Sequence, residues 1–154
     1  MSLLLSLAIG VVAGLRSMTA PAVVAWAAYL GWIHLEGSPL AFLGSRWAVA
    51  LFSLCALAEF VADQLPSTPA RTAPGPLGAR IVFGALTGAA LAMAGAQSGW
   101  LGALVGAIGA VAGAYAGYHS RVGLVRSLGL PDPAVAIPED LLAIGLGLLF
   151  VTRF

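Results

Sequence analysis

Residues 3–33 read LLLSLAIGVVAGLRSMTAPAVVAWAAYLGWI. The stretch is apolar apart from one charge, Arg16, and the small hydroxyl residues Ser6, Ser17 and Thr19, and its reading decides the fold. A helix that crosses a bilayer needs about 20 mostly apolar residues, so Leu3 to Ile33 is too long for one straight crossing. Arg16 and Pro21 interrupt it, and an internal proline removes a helix N–H and clashes with the preceding turn. The pattern predicts a long, tilted or broken helix, or two half-helices meeting near Gly14–Pro21.

The rest of the chain is built from the same material. Of 154 residues, 60% are hydrophobic and 8% charged, against about 25% charged in an ordinary soluble domain. Seven basic residues and six acidic ones cannot form a polar skin over a domain of this size. The apolar surface must face lipid, and residues 1–154 read as a single transmembrane domain. The opening MSLLLSLAIGVVAG lacks a basic region before its apolar run. It is therefore read as part of the first membrane helix and not as a signal peptide.

Further spans follow by the same criterion. After a polar loop from His34 to Ser45, the second span is Arg46 to Gln64, ending in Glu59, Asp63 and Pro66. Residues 66–78, PSTPARTAPGPLG, form the clearest loop. The third span is Ala79 to Ala96. The fourth starts at Trp100 and extends past Tyr118 toward Leu128, where LPDP (130–133) breaks it. The fifth is Ala136 to Thr152, with Pro138, Glu139 and Asp140 in its first turn, where proline and acids suit a helix start. The expected fold is an all-α polytopic bundle of about five transmembrane helices, the first long or broken. Trp26, Trp32, Trp47 and Trp100 read as interfacial anchors.

Five spans put the termini on opposite sides. Arg71, Arg80, Arg121 and Arg126 then share the N-terminal side, and Arg46 and Arg153 the other, which favours a cytoplasmic N-terminus. Two crossings within the first segment would move the C-terminus to the cytoplasm. A faint internal repeat pairs GVVAGLRSMTAPAVV (10–24) with GAVAGAYAGYHSRVG (109–123), each followed by an acid-bearing helix. The copies would be inverted in the membrane, an arrangement found in transporters with sites at broken helices.

The polar residues inside these spans are the candidates for function. A charge at the bilayer centre costs about 2.5–3.5 kcal/mol, so Arg16 needs a carboxylate, a helix C-terminus or a water cavity. Glu59 and Asp63 lie four apart, on one helix face. Arg16, Ser17, Thr19, Glu59 and Asp63 form the proposed polar intramembrane or substrate-binding site. The plainer alternative leaves the two acids at the membrane boundary, paired with Arg16 or Arg71. Glu139 and Asp140 are either helix-start charges or a second acid cluster facing Arg121 or His119. His119 titrates near neutral pH if it faces a cavity, and is otherwise interfacial.

Gly102, Gly106, Gly109, Gly113 and Gly117 fall on one narrow face of the fourth span. They read first as helix-packing contacts, where small residues let backbones approach, and only second as the wall of a pathway.

Other classes find no footing. The formal net charge of +1 gives no case for nucleic-acid binding. A single cysteine, Cys55, allows no internal disulfide. There is no HExxH, no Cys/His cluster and no GxSxG or phosphate loop in a credible setting. No metal, cofactor or catalytic residue is assigned. Two carboxylates alone are a poor warrant for an enzyme.

Read together, GLRSMTAP (14–21), AEFVADQLPSTPARTAP (58–74) and AVAIPEDLLAIGLG (134–147) make the chain resemble a family of small bacterial integral membrane proteins catalogued only as a domain of unknown function. The resemblance rests on the Gly-Leu-Arg of the first helix, on Glu59, Asp63 and Pro66, on Thr68, Pro69, Arg71 and Thr72, and on the Glu139–Asp140 pair. It implies an all-helical fold and a multi-pass place in the bacterial inner (cytoplasmic) membrane. It implies no activity.

The leading expectation is a small transporter, channel or lipid-translocating protein, surrounded by membrane lipids and forming a homo-oligomer, most simply a dimer. The alternative is a non-catalytic accessory or assembly subunit of a membrane complex. An enzyme acting on lipid head groups ranks last.

Overall fold

A computed structural model describes residues 1–63, 70–129 and 132–154. The described residues form six α-helices and no strand: α1 (Ser2–Leu15), α2 (Thr19–Tyr29), α3 (Arg46–Ala62), α4 (Pro74–Ala94), α5 (Gly99–Leu128) and α6 (Asp132–Val151). A short 3-10 turn, Ala41–Gly44, precedes α3.

The first apolar stretch does break, at Arg16–Met18. Pro21 explains where α2 starts. A proline is tolerated best in the first turn of a helix, and Pro21 is the third residue of α2. The two pieces do not continue in one direction, however. Leu15 and Arg16 lie level with Glu139 and Asp140 of α6, whereas Val23 packs against Gly147 of the same helix. At the far end Ser2 and Phe154 both meet Gly95. So α2 runs parallel to α6, and α1 runs against it. Together α1 and α2 form a helical hairpin with Arg16–Ser17–Met18 at its tip.

The remaining helices alternate in direction. In α3, Ser53 accepts from the Trp26 indole at 3.1 Å and Glu59 meets Ser17, which sets α3 antiparallel to α2. Along α4 the chain passes from Arg80, level with Gly14, to Gly95, the residue after its end, level with Ser2. Helix α5 returns alongside α1, with Gly113 on Val11 and Gly117 on Leu15. The bundle is therefore six helices, up and down, with both termini at one end. The five-span count merged α1 and α2 because each is short: 14 and 11 residues, or about 21 and 16 Å.

Two other boundaries differ from expectation. Residues 74–78 belong to α4, whose first turn holds its prolines, and not to a loop. Helix α6 begins at Asp132, so Pro138, Glu139 and Asp140 lie beyond its first turn. The loop motif residues Pro66, Thr68 and Pro69 fall outside the described residues. The second copy of the faint repeat, residues 109–123, is uninterrupted helix within α5 and shows no break like that at Arg16.

Glycine holds the centre. A Cβ on Gly106 would stand 2.9 Å from the Gly88 Cα, and one on Gly10 would stand 2.9 Å from the Gly106 Cα. Helices α1, α4 and α5 thus touch backbone to backbone at one crossing. Gly102 and Gly106 face α4, while Gly109 and Gly113 face α1. Ser6, fully buried, donates to the Gly88 carbonyl at 2.8 Å across the same junction. At the terminal end, Ile33, Leu35 and Leu43 are buried beneath the α2–α3 connection and close the core.

Helix α4 and residues Gly99–Ser127 of α5 are long and apolar enough to cross a membrane, and α1 is a shorter apolar helix. The outer faces are apolar too. Trp47, Leu51, Leu54 and Val61 form an exposed stripe along α3.

Candidate functional site

The hairpin tip is where the charges gather. A break between two helices leaves unpaired carbonyls on one side and unpaired N–H groups on the other. Here each set finds a charged side chain of the complementary sign from another helix. Glu59 of α3 accepts from the backbone N–H of Ser17 at 2.9 Å and of Met18 at 2.8 Å, at the start of α2. It also accepts from the Ser17 hydroxyl at 2.6 Å. A carboxylate at a helix N-terminus is favoured by the helix dipole as well.

The carbonyl end of α1 is served by arginines. The Arg80 Nε donates to the Gly14 carbonyl at 3.1 Å, and its Nη1 donates to the Pro76 carbonyl at 3.2 Å. The Arg80 Nη2 lies 3.8 Å from Glu59, which links the groups that cap the two ends. Arg71 reaches toward the Leu15 carbonyl at 3.5 Å. Cations suit a helix C-terminus for the same dipolar reason.

Arg16 occupies the tip and is fully buried. Its Nη1 pairs with Asp63, at the C-terminal end of α3, and its Nη2 pairs with Asp140 of α6. The Phe60 ring lies 5.7 Å from the guanidinium carbon, at cation–π distance. One guanidinium therefore ties three elements together. Among the described residues, the Arg16 Nε and the Thr19 hydroxyl are buried with no hydrogen-bond partner, and the Arg16 Nη2–Asp140 contact is an ion pair without hydrogen-bond geometry.

Glu139, the neighbour of Asp140, turns to other arginines. It takes a two-point contact from Arg71, at 2.5 and 2.9 Å, and lies 3.8 Å from Arg121. Gly117 makes room for it: a Cβ there would stand 2.6 Å from the Arg71 Nη1 and 3.1 Å from Glu139. So Gly117, alone in the α5 glycine row, borders charged groups.

Of the residues picked out by sequence, the structure brings together Arg16, Ser17, Thr19, Glu59, Asp63, Arg71, Glu139 and Asp140. It leaves out His119, which is exposed and meets the Tyr118 ring edge-on at 5.4 Å. Asp140 and Glu139 are ion-pair partners and not helix-start charges. Sequence reasoning passed over Arg80, taking it for a charge at a span boundary. Its signal was the break itself, whose free carbonyls call for a buried donor. Among the described residues no group of three His, Cys, Asp or Glu side chains is placed to hold a metal ion.

The fold and this site define an all-helical protein with apolar outer faces and a buried lattice of ion pairs at one level of the bundle. The chain belongs to the family described as domain of unknown function DUF4126, which matches residues 3–152. No curated protein and no solved structure matches it.

Proposed function

We propose that this is a small multi-pass membrane protein of the bacterial inner membrane that moves a polar solute or lipid head group past the α1–α2 hairpin tip. One observation carries the reading: a fully buried Arg16 held by carboxylates from two other helices at the tip of a short helical hairpin. Ionisable groups inside a membrane protein mark pathways and relays, and helix ends within the bilayer are places where transporters bind polar groups. An anionic group entering the site competes with Asp63 and Asp140 for Arg16, while a cation competes with Arg16 for the acids. Either exchange loosens the tip.

All six helices traverse the bundle in this reading. Both termini, with Arg46 and Arg153, then lie on one side, and Arg71, Arg80, Arg121 and Arg126 on the other. The richer side is cytoplasmic by the positive-inside rule, which places both termini outside: the N-terminus changes side relative to the five-span expectation, and the C-terminus stays where five spans put it.

The test is reconstitution into lipid vesicles with three readouts: proton flux, small-anion flux, and flip of a fluorescent phospholipid. The expected result is one activity above protein-free vesicles, lost in Arg16→Ala and Glu59→Gln proteins that remain folded. Absence of all three activities overturns the transport reading.

A second reading, an accessory subunit, draws on a different observation: the exposed Trp47–Val61 stripe of α3, which a partner helix would cover. A stoichiometric protein partner in mild detergent supports it, and a stable lone oligomer speaks against it.

A further inference from the structure

Three side chains at the hairpin tip carry polar atoms that are buried and unsatisfied. Among the described residues, the Thr19 hydroxyl, the Arg16 Nε–H and the Asp140 Oδ1 have no hydrogen-bond partner. Thr19 is 2% exposed, Asp140 8% and Arg16 0%. Native interiors leave few such groups unpaired. Thr19 is the most telling of the three. It opens α2, yet its hydroxyl caps nothing, because Glu59 already accepts from the N–H groups of Ser17 and Met18. A valine has the same shape and would fill the position with no hydroxyl to satisfy.

The three atoms meet at one junction. A step of four residues puts Thr19 on the face of α2 that carries Val23. That face lies on α6, where a Cβ at Gly147 would stand 3.3 Å from a Val23 methyl. On α6, Gly147, Ala143 and Asp140 follow one another at steps of four and three, again on one face. The two helices run parallel, so one turn back from the Val23–Gly147 contact Thr19 stands against the fully buried Ala143, with Asp140 at the next step. Asp140 in turn meets the Arg16 Nη2. The bundle continues well past this level. Helix α5 runs on from Gly117, level with Leu15, to Leu128, and α6 reaches Asp140 from Asp132, about 16 and 12 Å of helix. The junction is therefore inside the bundle and not at its end.

The chemistry of the three atoms selects their partner. The Arg16 Nε–H only donates, the Asp140 carboxylate oxygen only accepts, and a hydroxyl does either. A bare cation cannot accept from Arg16, and an anion cannot donate to Asp140. The lattice offers an ion no net charge either: among the described residues its ion pairs join four guanidiniums to four carboxylates. Water both donates and accepts, and a buried water makes about three hydrogen bonds to groups that lack other partners.

From this we infer that the tip binds one resident water molecule between α1, α2 and α6. It accepts from the Arg16 Nε–H and donates to the Asp140 Oδ1 and the Thr19 hydroxyl. It supplies the hydrogen bonding that the direct Arg16 Nη2–Asp140 contact lacks, and it makes Thr19 a positioning residue for that ion pair. The inference rests on the geometry of the tip and stands apart from the transport reading, so loss of every flux leaves it untouched.

The test uses the full chain with nitrogen-labelled arginine in detergent micelles. The Arg16 Nε–H signal is the one that Arg16→Lys removes. Its contact with water is read as a rotating-frame Overhauser cross-peak, whose sign separates a bound water from proton exchange. The expected result is a cross-peak in the wild type and in Thr19→Ser, and its loss in Thr19→Val. The thermal midpoint should fall by about 2–4 °C in Thr19→Val and by less in Thr19→Ser. A wild-type Arg16 signal with no water cross-peak overturns the inference. So does a cross-peak that survives in Thr19→Val, or a raised midpoint of Thr19→Val, the result expected of a buried hydroxyl that bonds to nothing.

Discussion

Glu59 accepts two hydrogen bonds from Ser17, one from its backbone N–H at 2.9 Å and one from its hydroxyl at 2.6 Å. The contact joins the end of α3 to the start of α2. It makes a side chain from a distant helix do the work that Ser, Thr, Asp or Asn does locally at most helix starts. The hairpin tip is thus defined by tertiary contacts and not by local caps. Glu59→Ala leaves three donors and the Arg80 charge without their acceptor. The expected loss is about 3 kcal/mol, read as a lowered thermal midpoint in detergent. Glu59→Gln keeps one good acceptor and should lose less.

Arg16 should be less replaceable than any other cation in the chain. Arg16→Ala leaves Asp63 and Asp140 facing each other without compensation, at a cost of about 3–5 kcal/mol. Arg16→Lys supplies charge but only a point donor, which does not reproduce a planar fork spanning two carboxylates. Its midpoint should fall between those of the wild type and Arg16→Ala. Adding Asp63→Asn and Asp140→Asn to Arg16→Ala should recover part of the loss, because the stranded charges are gone.

The Arg71–Glu139 pair allows a cleaner measurement. A double-mutant cycle with Arg71→Gln and Glu139→Gln should give a coupling of about 1–3 kcal/mol, because the contact is bidentate and largely out of solvent. Arg121→Gln, whose guanidinium is 3.8 Å from the same carboxylate, should couple to Glu139→Gln more weakly.

At the glycine crossing the expected effect is steric. Gly106→Ala places a methyl group into the Gly84 and Gly88 backbone of α4, and neither can retreat without opening the α1–α4–α5 junction. A destabilisation of about 1–3 kcal/mol follows, and Gly106→Leu should not accumulate as folded protein. Among the described residues a methyl group at Gly123 on the same helix meets nothing within 4 Å, so Gly123→Ala should leave the thermal midpoint unchanged or raise it slightly.

The sequence made some of this legible and hid the rest for physical reasons. Arg16 was conspicuous because its burial is costly, and Asp63 followed from the same cost. The break at Arg16–Met18 was legible from Pro21. Its consequence was not: hydropathy measures apolar length and carries no direction, so a hairpin and a kinked span read alike. Glu139 and Asp140 stood between two readings, helix-start charges and an acid cluster facing Arg121 or His119, because the apolar pattern does not show that α6 starts at Asp132, which moves both acids out of the first turn. Arg80 was missed because nothing local to it signals a role; its partners, the Gly14 carbonyl and Glu59, come from other helices. The α5 glycines were visible as a face, but that Gly117 borders an ion pair depends on where Arg71 arrives.

The hairpin is the central claim, and the sidedness of the two termini tests it most directly. In a chain whose Cys55 is replaced by alanine, one cysteine is placed at a time: at the N-terminus, at the C-terminus, or by Gly75→Cys at the exposed start of α4. Each is labelled in intact cells with a membrane-impermeant maleimide. The account predicts that both termini label from outside and that Gly75→Cys is protected until the cells are broken. Labelling of one terminus but not the other would contradict the hairpin.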